Sequence, residues 1–549
     1  MNEILKLYTD LRKKDKKLIG TYPIDNRIIL SKLITNTNAD SELKYVWINR
    51  ATAQVSDNKT SAILGLDDLE PRSQKISRKM TLKLRKIRGL NVPVEINNSN
   101  DFNIFIDNNK EKFIIIKQNY PNYSNEEFSE LKNYNFRDKK IIYANSEDGN
   151  KIIGSNESLE KICKKNKEWL RSNIEKYLNY FYKKNNLEYN NKTFQESLAI
   201  MLKLVNSLFI PCELYKGDIK GLRLEIKELL KKSFLPVLKF SDSISGYGVH
   251  YPKDKYGNYN INEIEEAIKS DLKLEEYLVS ALNKNGQRIN RNYILNTIKT
   301  NGINLQKYIK GNDCAIGFFK PLEIYNKDFS LDIIDLDISE VLTDGTAHYG
   351  DVLHYEERYI NKILKNTLFE QQEELMFFAI SILIYLICLN EKLVKTPEEF
   401  SKFNFEDFGV QLMINNITGE MGLIEINGRT PSHNFNHFNL LSTYGKDISE
   451  KWHDSTSGIL CTSTKLIKIR DFFEFVKDED DENRLIKYLV TNIENNYGEK
   501  CQLLSFGVSE DYFSLYYVYI LNESDIPQDI NKEITNFFKE SIEKFTIEQ

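Results

Sequence analysis

The chain is short of several things that would have classed it quickly. Its six cysteines, at 163, 212, 314, 388, 461 and 501, stand far apart and form no CxxC pair, so zinc clusters and redox dithiols lack support. Reduced thiols in a cytoplasm are the expectation. Positive charge is not in excess: 75 Lys and Arg stand against 80 Asp and Glu, a formal net charge of −5. Nothing here would neutralise a phosphate backbone, which argues against nucleic acid as partner. No GxSxG or Cys/His signature offers a nucleophile, and the first apolar stretch after Met1 is too short and charged for a secretory signal. Long apolar runs are also missing, with one exception. Leu375 to Leu389 has fifteen residues without a charge, but a membrane span needs roughly 20, so a buried core helix is expected and no membrane partner.

What is present is a globular balance, 41% hydrophobic and 28% charged. A length of 549 residues exceeds a single core and implies three or four folding units. Over the first 180 or so residues, apolar runs (KKLIGTYPI, LKYVWI, NIFI, KFIIIKQ, KKIIYAN) alternate with helix-like stretches, as in an α/β unit. Ser77 to Arg88 has helical composition, and 156–185 reads as one long amphipathic helix behind an Asn or Ser cap. Further on come a helix from Phe194 to Leu208, a short strand near Pro211, a helix from Leu222 to Lys232 and the strand PVLKF. Residues 261–283 read as a helix followed by a strand EEYLV. Strand-like segments around Arg291–Lys299 and Asp313–Ile338 precede the apolar helix at 367–393. Strands FGVQLMIN and MGLIEIN then flank an Asn-Ile-Thr-Gly turn. Beyond residue 465, a charged helix, a strand pair and a last amphipathic helix suggest a small separate α+β unit.

Three motifs carry chemistry. The first is Pro236-Val-Leu-Lys-Phe followed by Ser241-Asp-Ser-Ile-Ser-Gly-Tyr-Gly-Val249, a buried strand ending in a lysine and then a Ser/Gly turn. Lys239 can present a point charge to phosphate oxygens, and Gly246 and Gly248 permit close backbone approach. An ordinary hairpin would read the same way. The second, Glu275-Glu276-Tyr277-Leu278, as a strand, could offer backbone groups to an adenine edge and a carboxylate to its amino group. In the third, Met421-Gly-Leu-Ile-Glu425-Ile-Asn427-Gly-Arg429, alternation puts Glu425, Asn427 and Arg429 on one face. A carboxylate and an amide oxygen are hard ligands suited to magnesium, and the arginine could stabilise a transferring phosphoryl group. A solvated sheet face is the plain alternative.

The order of these elements resembles the ATP-grasp superfamily, the likeness being carried by PVLKFSDSISGYGV, LEEYL and GLIEINGR within about 190–440. The resemblance implies an α/β and α+β multidomain fold. Its parts would be an N-terminal α/β pre-ATP-grasp domain (1–185), nucleotide-binding (186–283) and catalytic (284–464) subdomains, and a small C-terminal α+β unit (465–549). It implies ATP and Mg2+ as cofactors. Lys239 would contact the phosphates, 241–248 with Ser243, Ser245, Gly246 and Gly248 would be the phosphate lid, and Glu275, Glu276, Tyr277 and Leu278 would form the adenine hinge. Glu425 and Asn427 would hold the metal and Arg429 would face phosphate or acyl phosphate. Asn191-Lys192 and FIPCELY look like the smaller nucleotide subdomain, giving Lys192 a phosphate role. Where that family usually has an acid in the preceding hairpin strand, this chain has Gln411, a neutral amide that could still ligate through oxygen. His433 is either a substrate-facing acid/base or an inert loop histidine.

The activity implied is an ADP-forming ligation of a small-molecule carboxylate to an amine through an acyl phosphate, with similarity to peptide ligases and carrier-protein amino-acid ligases. The alternatives are transfer to a carrier-protein thiol and a catalytically inactive nucleotide-binding scaffold.

Overall fold

A computed structural model describes residues 4–11, 13, 27–32, 61–64, 72–89, 92, 94–96, 99–108, 113–118, 140–144, 161–240, 249–252, 259–283, 291–319, 334–344, 347–354, 357–401, 407–427, 458–508 and 512–548. These residues form three sheets with helices against them, a mixed α/β and α+β architecture.

The N-terminal sheet is wholly parallel, in the order β3-β2-β1-β4-β5, from β1 (Arg27–Lys32), β2 (Ser61–Leu64), β3 (Val94–Ile96), β4 (Phe113–Gln118) and β5 (Lys140–Ala144). KFIIIKQ and KKIIYAN supply the last two strands. NIFI does not form a strand but lies in the helix Ser99–Asn108, because Phe102, Phe105 and Ile106 are buried at spacings of three and four, the helical period. KKLIGTYPI and LKYVWI fall outside the described residues.

A small antiparallel sheet, β6-β9-β7-β8, joins β6 (Cys212–Tyr215), β7 (Pro236–Phe240), β8 (Val249–His250) and β9 (Ile303–Lys307). One face is apolar: Leu238, Phe240, Ile303 and Leu305 pack on the helices Ile219–Lys231, Ile261–Ala267, Asp271–Asn283 and Arg291–Thr300. Two of those helices correct the sequence expectation. EEYLV is helical because Leu274 and Leu278, four apart, enter this core together. Ile294 and Ile298 do the same for the segment expected as a strand at Arg291–Lys299.

The third sheet has eight antiparallel strands, in the order β14-β13-β10-β11-β12-β15-β17-β16. They are β10 (Asn312–Phe319), β11 (Ile334–Asp344), β12 (Ala347–His354), β13 (Asp407–Ile414), β14 (Met421–Asn427), β15 (Gly458–Lys468), β16 (Cys501–Val508) and β17 (Tyr512–Leu521). The helix Glu373–Asn390 is apolar on every side and buried from Leu375 to Cys388. It packs with the helices Lys167–Lys184 and Asn191–Ser207 on Cys314, Ile316, Val410, Leu412 and Leu423 of the sheet. It alone among the described residues is long and apolar enough to cross a membrane, and most of it is enclosed by protein. The helix expected over 156–185 is shorter, starting at Lys167 where the Asn166 side chain accepts a hydrogen bond from Trp169 N.

The expected boundary at 464/465 falls inside β15, which pairs with β12 on one side and β17 on the other. The C-terminal strands therefore continue the same sheet rather than standing apart. The helices Glu479–Tyr497 and Pro527–Glu548 cover this end, together with Arg72–Ile87 from the N-terminal region. The 283/284 boundary likewise precedes β9, which belongs to the small sheet.

Candidate functional site

Strand alternation gives the small sheet a second, polar face. With Leu238 and Phe240 turned to the helices, Val237 and Lys239 turn the other way. Lys239 is in register with Asn304, and Cys212 with Gln306. This face is nonetheless buried: Lys239 is 6%, Asn304 3% and Gln306 5% exposed. The large sheet has the same division. Its Val410 and Leu412 enter the helical core, while Gln411, opposite Glu425 on β14 and Ala315 on β10, lies on the other face with Asp313.

The two polar faces meet. Lys239 Nζ donates to the carbonyl of Ile424 on β14 at 2.8 Å. Burial holds the ammonium below the ordinary lysine range, while Glu425, Asp313 and Cys212, within Coulombic reach, oppose that shift. Asn304 Oδ1 is buried and has no hydrogen-bond partner among the described residues. A buried amide oxygen without a partner costs about 1–3 kcal/mol, so the position suits a donor brought by a ligand. Tyr251 rims the cluster; burial, with a smaller push from Asp313, raises its phenol to about 12. Its ring lies 5.2 Å from that of Tyr308, just beyond β9.

The strands come together through the segment after the helix Asn191–Ser207. Leu423 N donates to Leu208 O at 2.8 Å, and Phe209 bridges Leu423 in parallel. Gly422 makes the approach possible: a Cβ there would come within 2.1 Å of Ile210 Cγ1.

Of the residues singled out in the sequence, Lys239, Glu425 and Gln411 are thus gathered around one junction. Asn427 pairs through its backbone with Gly409, one step further along the same edge. Lys192 lies elsewhere, exposed in the first turn of its helix, its backbone N capped by Asn190 Oδ1 at 3.0 Å. Ser243, Ser245, Gly246, Gly248, Arg429 and His433 lie outside the described residues.

The strand expected at the adenine hinge is corrected. Glu275, Glu276, Tyr277 and Leu278 belong to a helix, where main-chain groups serve helical hydrogen bonds and no strand edge exists. Glu275 is buried and pairs with Arg291 of the next helix, Leu278 is core, and Glu276 is exposed. Tyr277 Oη lies 2.6 Å from His250 Nε2, tying this helix to β8.

Sequence reading missed Asp313, Asn304, Gln306 and Tyr251. The signal for two of them was the alternation Ile303-Asn304-Leu305-Gln306, which marks a strand with one polar face.

No family model and no curated protein matches this chain. Among solved structures, it is similar to N5-carboxyaminoimidazole synthetase from Staphylococcus aureus complexed with ADP. The TM-score is 0.41 and the identity 9%, covering 93% of this chain and 96% of that one. A biotin carboxylase domain of the Hydrogenobacter thermophilus 2-oxoglutarate carboxylase, with MgADP and bicarbonate, gives 0.42 and 9% over 90% and 86%. A protein described as of the ATP-grasp superfamily from Archaeoglobus fulgidus gives 0.34 and 9% over 80% and 93%. At these scores the likenesses assign no role to any residue here.

Proposed function

We propose that this chain is an ATP-dependent, ADP-forming carboxylate–amine ligase with its nucleotide at the junction of the small and large sheets. The observation that carries this reading is Lys239: a cation buried against β14, flanked by Glu425 and Asp313, beside an amide oxygen without a partner. Burying an ammonium is costly, and a buried cation with carboxylates and an unmet amide oxygen around it is a cluster that a magnesium-bound polyphosphate would complete.

The oxygens of Glu425 and Gln411, with Asp313 nearby, are hard donors suited to magnesium, and Asn427 is proposed to join them. The described residues hold no cluster of three or more His, Cys, Asp or Glu, and magnesium characteristically leaves the remaining positions to water and phosphate. When bound, that ion supplies neutralising charge to the phosphates. Lys239 would hold phosphate oxygens in line for transfer, and Arg429 is proposed to share that charge. A carboxylate oxygen of the substrate displaces ADP at the terminal phosphorus. The amine then attacks the acyl carbon, phosphate leaves, and the amine's proton passes to solvent or a nearby base. His433 is the candidate for that base. The phosphate lid at 241–248 remains part of the proposal.

Asp313 supplies a second carboxylate where Gln411 offers only an amide, which favours a working site over an inactive scaffold. The test is calorimetric binding of MgADP, followed by phosphate release from MgATP with paired amino acids and small acids. Nucleotide binding and amine-dependent turnover are expected, with both lost in Lys239→Ala. Wild-type protein that binds no nucleotide, or a Lys239→Ala variant with unchanged turnover, overturns the reading.

A further inference from the structure

The six cysteines divide sharply. Cys314, Cys388, Cys461 and Cys501 are buried, and burial pushes the thiols of Cys314, Cys461 and Cys501 upward. Cys163 and Cys212 are half-buried, and both line one narrow pocket with Ile210, Asn304 and Gln306. Forty-nine positions separate them in sequence, so the fold alone brings them together.

Each belongs to a different body. Cys163 follows Ile162, which is part of the helical core beneath the large sheet. Cys212 opens β6 and is fixed to β9 through its register with Gln306. The segment 208–211 runs from the helix Asn191–Ser207 into β6 and links the two in sequence. Cys212 also lies within Coulombic reach of the Lys239 ammonium. A cation beside an accessible thiol is the setting in which thiolates form and attack peroxide.

We propose that Cys163 and Cys212 are a peroxide-sensitive pair that closes to a disulfide and staples the small sheet to the helical core. The Cys212 thiolate attacks a peroxide oxygen, the O–O bond breaks, and a sulfenic acid and water result. The Cys163 thiolate then attacks the sulfenic sulfur, the S–O bond breaks, and a second water leaves. Two thiols lose two electrons and hydrogen peroxide gains them. The bond crosses the pocket beside Lys239, Asn304 and Gln306 and restrains the small sheet from adjusting over its ligand.

Treating the full chain with hydrogen peroxide tests this without any variant. A non-reducing digest is expected to yield a linked peptide pair containing Cys163 and Cys212, with two thiols lost per chain and both recovered with dithiothreitol. In the same samples MgADP affinity is expected to fall by roughly tenfold on oxidation. Cys163→Ser should keep basal nucleotide affinity, lose the linked peptide, and leave a sulfenic acid at Cys212 that dimedone traps. Oxidation of either cysteine with no linked peptide, linkage to a different cysteine, or an affinity loss that persists in Cys163→Ser overturns the proposal. The peptide readout stands even if the ligase reading fails, because it needs no nucleotide.

Discussion

Two buried polar clusters of this molecule are built on opposite terms. At the outer edge of the large sheet, the helix Arg72–Ile87 lies along β16. Ser77 Oγ donates to Phe506 O at 2.6 Å, and Phe506 N donates to Thr81 Oγ1 at 3.1 Å. Thr81 in turn donates to Ser77 O at 2.9 Å, and Arg88 Nη1 reaches Leu503 O at 2.8 Å. Each of these donors has its acceptor, and an edge strand that could pair with another chain is covered. At the junction of the sheets the terms reverse: Lys239 Nζ donates to the Ile424 carbonyl, while among the described residues no donor reaches Asn304 Oδ1. Complete satisfaction suits a cluster that holds the fold, and the unmet amide beside a buried cation is what the proposed ligand site rests on.

The largest effect that could break this contrast is at Lys239. Lys239→Met removes the charge and keeps most of the volume. ATP turnover is expected to fall by at least about a hundredfold, as when a group that stabilises transition-state charge is removed. Stability of the ligand-free protein should move the other way, rising by on the order of 1 kcal/mol, because desolvation is the leading influence on this ammonium. The sign follows from linkage. A lysine whose folded value lies below its unfolded one binds fewer protons when folded. Its destabilising contribution is therefore full below the folded value and is relieved as pH rises toward the unfolded one. Wild type should gain on Lys239→Met as pH is raised through that window in chemical denaturation. A variant less stable than wild type throughout would show that this lysine serves the fold.

A smaller effect is expected at Gly422. The Cβ of Gly422→Ala would meet Ile210, forcing the connecting segment off β14 and destabilising by about 1–3 kcal/mol. Ile210→Ala, which removes the Cγ1 that the new Cβ would meet, should recover part of the loss in a double-mutant cycle. Purely additive losses would mean that the contact does not set the approach of the two sheets.

Thr81→Val tests the other cluster. It leaves Phe506 N without its acceptor, and a loss of about 1–2 kcal/mol is expected in denaturant melts. Nucleotide affinity should be unchanged, since the edge and the junction share no residue. Weakened binding in this variant would erase the distinction between them.

Strands of both antiparallel sheets were legible in the sequence, PVLKF in the small one and FGVQLMIN and MGLIEIN in the large one, the last two flanking a turn in which Gly419 adopts φ +76. EEYLV was misread because five residues cannot show whether Leu274 and Leu278 share a helix face; only the core they enter decides. The β15 segment was divided for a similar reason, since pairing with β12 is a long-range choice that composition does not record. At the site, Lys239 and Glu425 were legible as residue types at strand ends. Asp313 and Asn304 were not, because an acid or amide acquires meaning there only when two sheets face each other.

One buried polar atom far from the junction sharpens the contrast. Tyr385 stands in the apolar helix Glu373–Asn390, with Tyr177 and Phe400 rings 5.1 and 5.6 Å from its own. Its hydroxyl has no hydrogen-bond partner among the described residues, and burial raises it to about 12. If an unmet polar atom always signalled a ligand, this would be a second site. Its surroundings argue otherwise: the ring is packed among aromatic side chains, and the charge within Coulombic reach is the Glu398 carboxylate rather than a cation, so the hydroxyl is a cost of filling the core with a large aromatic. Tyr385→Phe deletes that oxygen and keeps the ring contacts. A stability gain of about 0.5–1 kcal/mol with unchanged MgADP affinity is expected, the smallest of these effects and measurable by denaturant midpoints at constant slope. A loss of stability would reveal a buried water bound to the hydroxyl, and a loss of affinity would couple the helical core to the junction. Unmet polarity counts toward a ligand site only where a buried cation accompanies it, as at Lys239 with Glu425 and Asp313 beside it.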